Sequence, residues 1–414
     1  MRARIHRGTR EIGGTAVELE AEGRRLLLDF GLPLATTSHA PVLLPEVPGL
    51  TAPEPSLLGV VLSHGHRDHW GLLGHMASRP PLFMGAGTER ILAAASFFIP
   101  DVPALKAAAH LQDNRPLSIA PFTITPHLVD HSAFDAYALT VDAGGRRLFY
   151  SGDIRSHGRK GALFELLVGQ PPSGIDVMLM EGSSLGRLDE EARFPTEAEI
   201  EVELAEVIRR TPGMVLVAAS AQNIDRVVTI FRAAKRNGRT LVVDLYAAEM
   251  LHATAKGRVP QTSWPDVALF MPWHQRLKVK KTDRFDLIER HKAGRLFPRD
   301  LATHPERYVT LFRASLLDDL MKAECLNGAH AVWSQWAGYL QEEKTAALVA
   351  TLKAQGIGFE VIHTSGHASV PDLKRLAAAI APRVMVPIHT FEADRFPSLF
   401  ENVVVRRDGE WWEV

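Results

Sequence analysis

The stretch Val60–His69, VVLSHGHRDH, begins inside an apolar run that predicts a buried strand over residues 57–62. Its polar half starts where that strand would end and a loop would begin. Alternate side chains of an extended segment point to the same side, which would place His64, His66 and Asp68 together and turn the next histidine into a helix. Imidazoles suit Zn, Mn or Fe, and a carboxylate suits a second, harder site. This one loop could therefore supply ligands to both halves of a two-metal centre.

The length and composition of the chain limit its organisation. A chain of 414 residues exceeds the size at which a single core stops growing, so we expect two domains. The formal net charge of −1 gives no global attraction to nucleic acid, so any such binding must use a local basic surface. Cys325 is the only cysteine, which fits a reducing compartment. Residues 1–14 hold no apolar segment and no run is long enough to span a bilayer, so we expect a cytoplasmic protein without a membrane partner.

Elsewhere in the chain, predicted strands are repeatedly followed by a histidine or a carboxylate. A predicted hairpin over residues 15–30 ends next to Asp29. The other residues in such positions are His131 after 122–128, Asp153 after 147–150, Glu181 after 177–180 and His389 after 383–387. Ligand-type side chains at several strand ends predict a catalytic edge of a sheet.

The middle of the chain follows a different pattern. From about Arg193, predicted strands alternate with helices, which is typical of a mostly parallel sheet. Because strands followed by histidines return near the end of the chain, we interpret the alternating region as an insertion. The predicted domains are residues 1–190 with 355–414, and an inserted domain over 191–354.

These features together resemble the metallo-β-lactamase fold, and within it the β-CASP nucleases that include ribonuclease J. The resemblance covers nearly the whole chain. It rests on Asp29, His64-Gly65-His66-Arg67-Asp68-His69, Asp130-His131-Ser132, Ser151-Gly152-Asp153, Glu181, Gly366-His367-Ala368 and Pro387-Ile388-His389. The first histidine motif indicates only the superfamily, whereas the last three elements narrow it to the β-CASP group. The resemblance implies an α/β fold, an αββα metallo-β-lactamase sandwich with an inserted β-CASP α/β domain. Ribonuclease J has a further C-terminal domain, so the end at Val414 leads us to expect a short ribonuclease J-like protein.

The resemblance also implies a set of metal ligands. The first divalent ion would be held by His64, His66 and His131, the second by Asp68, His69 and His389, and Asp153 would bridge the two. Zn is the expected metal, with Mn as the alternative. Asp29 or Asp130 would orient ligating imidazoles through hydrogen bonds, although aspartates at strand ends are also common turn residues.

Catalytic roles follow from the same resemblance. Two metals would activate a water molecule for attack on a phosphodiester. His367, hydrogen-bonded to Glu181, would give a proton to the departing ribose oxygen, since a neighbouring carboxylate favours the imidazolium form. Asp68 is assigned to the catalytic residues as well as to the ligands.

The predicted function is that of a metal-dependent ribonuclease that acts on single-stranded RNA. A more specific prediction is that it removes nucleotides in the 5′-to-3′ direction from a 5′-monophosphate end. Ser365, Ser369 and Gln222 are the candidate phosphate contacts, because hydroxyls and helix starts suit a phosphate. Plain helix caps and internal cutting are the alternative at these positions. A DNA nuclease of the same fold, another metallo-β-lactamase-fold hydrolase and an inactive RNA-binding regulatory subunit are the alternative functions. The sequence does not determine the oligomeric state, and a homodimer is compatible with it.

A basic stretch over residues 276–284 lies within the predicted insertion, with Trp273 and Phe285 at its flanks. Such residues would give phosphate contacts and base stacking, with salt-dependent binding. An ordinary solvated face is the alternative explanation.

Overall fold

Most apolar runs in the first part of the chain form strands at or near the predicted positions. The structure is a computed structural model that describes residues 1–34, 44–100 and 102–414. The strands up to residue 194 are β1 (Arg2–Arg7), β2 (Ala16–Ala21), β3 (Arg24–Leu28), β4 (Leu57–Val61), β5 (Leu82–Gly85), β6 (Ala109–Leu111), β7 (Leu117–Ile119), β8 (Phe122–Leu128), β9 (Tyr137–Ala143), β10 (Arg146–Tyr150) and β11 (Val177–Glu181). The helices are α1 (Arg67–Trp70), α2 (Ala86–Phe98) and α3 (Gly161–Gly169), and a 3-10 helix over Gly71–His75 follows α1.

Helices and strands then alternate, as the sequence predicted. These elements are α4 (Glu197–Arg210), β12 (Val215–Ala218), α5 (Ile224–Arg236), β13 (Thr240–Val243), α6 (Leu245–Ala253), β14 (Val267–Phe270), α7 (Trp273–Thr282), α8 (Phe285–His291), β15 (Arg295–Leu296), α9 (Pro298–Thr303), β16 (Tyr308–Phe312), α10 (Leu317–Lys322), β17 (His330–Trp333), α11 (Glu343–Ala354) and β18 (Gly358–Val361). Short 3-10 helices cover Lys292–Gly294, Pro305–Arg307, Ala314–Leu316 and Ala337–Gln341.

The final part of the chain returns to the first unit. It forms α12 (Val370–Ile380), β19 (Val384–Ile388), a 3-10 helix over Ala393–Arg395, α13 (Phe396–Leu399) and β20 (Trp411–Glu413). By its contacts the chain divides into one unit of Met1–Phe194 with Gly366–Val414 and a second unit of Pro195–Ser365.

The first unit is an αββα sandwich, as expected. One sheet has the order β20-β1-β2-β3-β4-β5-β6 and the other the order β19-β11-β10-β9-β8-β7. Fully buried side chains such as Leu19 and Leu139 fill the space between the sheets. Leu376 of α12 and Phe164 of α3 pack on the outer face of the second sheet, and Trp70 of α1 packs within the apolar layer on the outer face of the first.

Parallel pairing gathers the ends of several strands at one edge of each sheet. In the second sheet β10, β11 and β19 are parallel neighbours, and in the first sheet β3 is parallel to β4. The carboxyl ends of parallel neighbours lie side by side. The residues that follow these strands are therefore neighbours in space although they are far apart in sequence.

The second unit contains one sheet whose strands are all parallel. Its order is β15-β14-β13-β16-β12-β17-β18. Helix α4 begins with a capping box, in which the Thr196 side chain accepts a hydrogen bond from the Glu199 backbone and the Glu199 side chain accepts one from the Thr196 backbone.

Two features of the fold differ from the sequence prediction. Strand β1 was missed because its charged residues, Arg2 and Arg4, hide the buried alternation of Ala3 and Ile5. Strand β18 was expected in the first domain, after a return at residue 355. It pairs instead with β17, so the second unit extends to Ser365. The pairing partner of a strand, which decides its domain, cannot be identified from the apolar run alone.

In the part of the chain that the structure describes, no helix combines the length and apolar character needed to cross a membrane.

Candidate metal centre

The histidine motif leaves β4 and turns at once into helix α1. His66 is the N-cap residue of this helix, which begins at Arg67. The expectation of an extended segment through Asp68 is therefore wrong, because Asp68 and His69 are presented from a helical turn. Backbone hydrogen bonds to the carbonyls of these two residues, from Thr15 N at 3.2 Å and Phe30 N at 2.7 Å, hold the turn in place.

Gly31 makes this close approach possible. A Cβ atom added at Gly31 would lie 1.6 Å from the carbonyl oxygen of Asp68. Any larger residue would have to push the helical turn away from the strand. The glycine of the Asp29-Phe30-Gly31 segment thus has a steric task beside the metal-ligand candidates.

Asp153 lies at the centre of the candidate site and is 2% exposed. Four imidazole Nε2 atoms surround its Oδ2 atom: His69 at 3.2 Å, His64 at 3.7 Å, His131 at 3.8 Å and His389 at 3.8 Å. The structure thus brings together residues that lie more than 300 positions apart in the sequence.

Two groups of candidate metal ligands share this carboxylate, and a third group joins it to Glu181 and His367. The first is His64, His66, His131 and Asp153, and the second is Asp68, His69, His389 and Asp153. Within each group the candidate ligand atoms lie within 4.8 Å of one another. The groups match the two ligand sets that the resemblance implied.

Buried atoms without hydrogen-bond partners are concentrated at this point. They are Nε2 of His64, His69 and His389 and both carboxylate oxygens of Asp153. A single unsatisfied buried polar atom costs about 1–3 kcal/mol. Five such atoms around one point fit bound divalent cations, and the mixture of imidazole and carboxylate suits Zn or Mn.

Asp29 orients two of the imidazoles. Its Oδ2 atom lies 2.7 Å from Nδ1 of His69 and accepts hydrogen bonds from Tyr150 Oη at 2.6 Å and Ser63 Oγ at 2.7 Å. The Ser63 hydroxyl lies in turn 3.0 Å from Nδ1 of His64. With the proton on Nδ1, the Nε2 lone pair of each ring is directed to the site.

His389 and His131 have equivalent supports. Nδ1 of His389 lies 2.8 Å from Thr15 Oγ1, and Nδ1 of His131 lies 2.6 Å from the carbonyl oxygen of Gly366. A Cβ at Gly366 would come within 2.7 Å of Ser132 Oγ, so a glycine permits this backbone approach. The backbones of Asp29 and His389 both adopt positive φ, at 57° and 54°. Such left-handed residues are uncommon outside glycine and tend to cluster at functional sites.

The histidines of the site fall into two classes, those whose pKa is lowered and those whose pKa is raised. Burial lowers the pKa of His64 and His131 well below the usual value, and that of His66 to about 4. These rings are therefore neutral, which is the form that binds metals. Burial also acts to lower the pKa of His69, but the carboxylates of Asp153 and Asp29 outweigh it and raise that pKa well above the usual value.

His367 and Glu181 form a pair beside the ligand groups. Nδ1 of His367 lies 2.9 Å from Glu181 Oε2 and 3.8 Å from Asp153 Oδ2. Burial acts to lower the pKa of His367, but the Glu181 and Asp153 carboxylates raise it to about 9. Glu181 also accepts a hydrogen bond from Ile154 N at 2.9 Å, so it connects the segment after Asp153 to His367.

Comparisons with known proteins agree with this fold. A model described as "Beta-lactamase superfamily domain" matches residues 24–202. Ribonuclease J of Mycobacterium tuberculosis (strain ATCC 25618 / H37Rv) is 24% identical over 412 residues, which cover 92% of this chain and 67% of the relative. Ribonuclease J 2 of Streptococcus pyogenes serotype M3 is 23% identical, covering 97% of this chain and 74% of the relative. The chain carries a metallo-β-lactamase superfamily domain and is similar to ribonuclease J.

A solved structure shows the same fold over the full length. The crystal structure of a protein of unknown function from Enterococcus faecalis V583 superposes with a TM-score of 0.79 at 20% identity and covers 99% of both chains. The inserted α/β unit therefore accompanies the metallo-β-lactamase sandwich in a second protein. The fold is a metallo-β-lactamase sandwich with an inserted α/β unit.

Other predicted site residues lie in different settings. Asp130 accepts hydrogen bonds from Arg155 Nε at 3.3 Å and Gly158 N at 2.7 Å, so it holds the loop after Asp153. His157 in that loop lies between Arg155 and Arg159 in the sequence, but it is buried and packs against the ring of Phe194.

The three candidate phosphate contacts are spread over both units. Ser369 is the N-cap residue of α12, but its hydroxyl donates to Asp372 Oδ2 at 2.7 Å instead of accepting from the helix backbone. Gln222 belongs to the second unit, where its amide donates to Tyr246 Oη at 2.9 Å. Ser365 is the last residue of the second unit and is half-buried.

Sequence reasoning missed the supporting residues Thr15, Ser63 and Tyr150. Each lies in or beside a strand and has an ordinary residue type for that position. Ser63 is next to the histidine motif in the sequence, and this position was the only sign in the sequence of a role in supporting the site. The other two become neighbours of the site only through strand pairing.

Proposed function

We propose that this chain is a metal-dependent ribonuclease that hydrolyses phosphodiester bonds of single-stranded RNA. The observation that carries the proposal is the group of buried, unpartnered imidazole and carboxylate atoms around Asp153. Similarity to proteins named ribonuclease J over most of the chain favours RNA as the substrate. Two divalent cations bound by these atoms would activate a water molecule and neutralise charge on the phosphodiester.

The ligand residues have the task of holding a fixed geometry. Asp153 lies between the two groups, with Oδ2 at 3.2 Å from His69 Nε2 and 3.7 Å from His64 Nε2, which suits a bridging carboxylate. The hydrogen-bond partners at Nδ1 of His64, His69 and His131 hold these rings in their orientation. Little rearrangement would then be needed when substrate binds, which is the condition for effective electrostatic stabilisation.

His367 serves as the general acid in this proposal. Glu181 faces Nδ1, so the proton that moves to the substrate is the one on Nε2. As the water oxygen bonds to phosphorus, the bond from phosphorus to the leaving ribose oxygen breaks and that oxygen takes the proton. Asp68 keeps 16% of its side chain exposed and lies 3.7 Å from His389 Nε2. Its carboxylate can accept the proton that the attacking water loses, so the water gives up one proton while the ribose oxygen gains one.

Cleavage in the 5′-to-3′ direction from a 5′-monophosphate is the finer form of the proposal. Its support is the half-buried Ser365 next to the glycine that approaches His131. Ser369 and Gln222 already hydrogen-bond to Asp372 and Tyr246, so a terminal phosphate would have to compete for them.

The test compares end-labelled single-stranded RNA with DNA of matched sequence, each with added Zn or Mn and with a chelator. We expect metal-dependent cleavage of the RNA, loss of cleavage in Asp153→Asn and His367→Ala, and normal cleavage in His75→Ala, which changes an exposed histidine. Absence of RNA cleavage under all metal conditions would refute the proposal. Equal cleavage of the DNA would instead indicate a nuclease without sugar specificity.

The direction of cleavage needs a second set of substrates. Matched RNAs with 5′-monophosphate, 5′-hydroxyl and 5′-triphosphate ends are compared with a circular RNA. Release of mononucleotides with a preference for the monophosphate supports the finer proposal. Equally rapid cutting of the circle contradicts it and leaves internal cleavage.

A further inference from the structure

One segment of the second unit combines positive charge with exposed aromatic rings. Residues 273–299 contain nine Lys and Arg residues and three Asp and Glu residues, in a chain whose net charge is −1. Trp273, Phe285 and Phe297 in this segment are 62%, 49% and 53% exposed. Aromatic side chains contribute large areas to cores and interfaces. Three exposed rings among cations therefore indicate a binding surface.

Helix α7 presents part of this segment as a continuous face. Residues spaced three or four apart lie on the same side of a helix. The residues with this spacing are Trp273, Leu277, Lys280 and Lys281. The buried residues of α7, Gln275 and Val279, face the interior of the unit.

The two lysine charges on this face remain available to a ligand. Lys280 and Lys281 are exposed, and neither forms an ion pair within the described residues. Acidic neighbours engage the arginines instead: Asp319 lies 3.8 Å from Arg276, and Asp286 lies 2.8 Å from Arg284. The lysines are therefore the cations that a polyanion would meet first.

Cations also lie directly beside the aromatic rings. The guanidinium of Arg276 is 5.5 Å from the centre of the Trp273 ring, and that of Arg295 is 4.9 Å from the Phe297 ring. Adjacent rings and cations can stack a base and neutralise the phosphate next to it.

We propose that the face formed by Trp273, Leu277, Lys280 and Lys281, here called the α7 surface, binds single-stranded RNA as an auxiliary substrate-holding surface. The inference rests on the proposed function, because RNA is the polyanion that a ribonuclease must hold. Unpaired bases can stack on exposed rings, whereas a duplex hides its base faces. An acidic peptide would use the lysines but leave the exposed tryptophan without a role.

The experiment measures binding of a labelled single-stranded RNA of about twenty nucleotides, longer than one such site, by fluorescence anisotropy with the full-length chain. Trp273→Ala removes the stacking ring and should raise Kd about tenfold. Trp273→Phe keeps a ring and should bind within about twofold of the unaltered chain. A double change, Lys280→Ala with Lys281→Ala, should make the slope of log K against log salt shallower by about 1.4, since each phosphate contact on a single strand contributes about 0.7.

A matched control removes two other exposed cations of the same unit, by Lys256→Ala with Arg258→Ala. This control should leave both the affinity and the salt slope unchanged. RNA binding by all α7-surface variants within twofold of the unaltered chain would overturn the inference. It is equally overturned if those variants lose binding to vesicles of anionic lipid and keep their affinity for RNA.

The outcomes distinguish this inference from the proposed function. A chain that binds RNA through the α7 surface and cleaves no RNA contradicts the ribonuclease and supports the surface. If the chain cleaves RNA and the α7-surface variants bind RNA with normal affinity, the ribonuclease proposal is supported and RNA binding by the α7 surface is contradicted.

Discussion

Replacing Gly31 by alanine should damage the second ligand group and spare most of the first. The added Cβ would lie 1.6 Å from the carbonyl oxygen of Asp68, and contacts of a Cβ below 3.0 Å are essentially never found. The helical turn that carries Asp68 and His69 would therefore have to move by more than about 1.4 Å. Metal–ligand distances tolerate changes of about 0.2 Å. We expect metal content to fall from two ions per chain to about one.

The assay is elemental analysis of the purified variant after dialysis against a weak chelator. Gly169→Ala is the matched control, because no atom lies within 4 Å of a Cβ added at that helical glycine. Thermal unfolding of the metal-free variants distinguishes a local displacement from a general loss of folding. A folded Gly31→Ala protein that retains two ions with unchanged affinity would refute the steric argument and the assignment of Asp68 and His69 to one metal.

Three further predictions follow from the site and from two buried groups outside it. His367→Ala should keep its metals and lose about 10² to 10⁴ in cleavage rate, the usual effect of removing a general acid, and a rate within twofold of the unaltered protein would contradict the assignment. Burial acts to raise the pKa of Glu18, but hydrogen bonds from His6 and two arginines lower it to about 2. The stability from this depressed pKa is present above pH 4.5 and is lost as the pH falls toward 2, by about 3 kcal/mol. The free energy of unfolding, measured with urea, should therefore depend less on pH in Glu18→Gln than in the unaltered protein over this range. Parallel plots of this free energy against pH for the two proteins would contradict the prediction. Burial raises the pKa of the Cys325 thiol to about 11, so a thiol reagent at pH 8 should label the protein only after unfolding, and rapid labelling of the native chain would disprove this.

The metal-ligand candidates could be predicted because each follows a strand of recognisable apolar pattern. Asp153 lies three residues beyond the end of β10, Glu181 is the last residue of β11, and His389 comes directly after β19. Parallel pairing of these strands brings the three residues to one edge. The short motif around His64 needs no long-range information at all.

The supporting hydrogen bonds could not be predicted in the same way. Thr15 reaches His389 and Tyr150 reaches Asp29 across sequence separations of 374 and 121 residues. These contacts depend on which strands pair and in which register, and single-sequence patterns do not contain that information. The helical start at Arg67 was missed for a related reason, since backbone bonds from Thr15 and Phe30 hold that turn.

The exposure of individual histidine and aromatic side chains was also only partly predictable. His157 lies in a basic sequence and is nevertheless buried, because the loop folds over Asp130. Trp273 lies beside a strand and is exposed, although an aromatic residue at such a position is usually part of a core.

The most direct test of a two-metal ribonuclease is a titration of the metal-free protein with Zn or Mn while cleavage of single-stranded RNA is measured. Asp153 is shared by two ligand groups, so both ions should be needed to position the water and the phosphodiester. We predict that cleavage stays low up to one equivalent of metal per chain and rises to its maximum with the second. Full activity at one equivalent, or cleavage by the metal-free protein, would contradict the account.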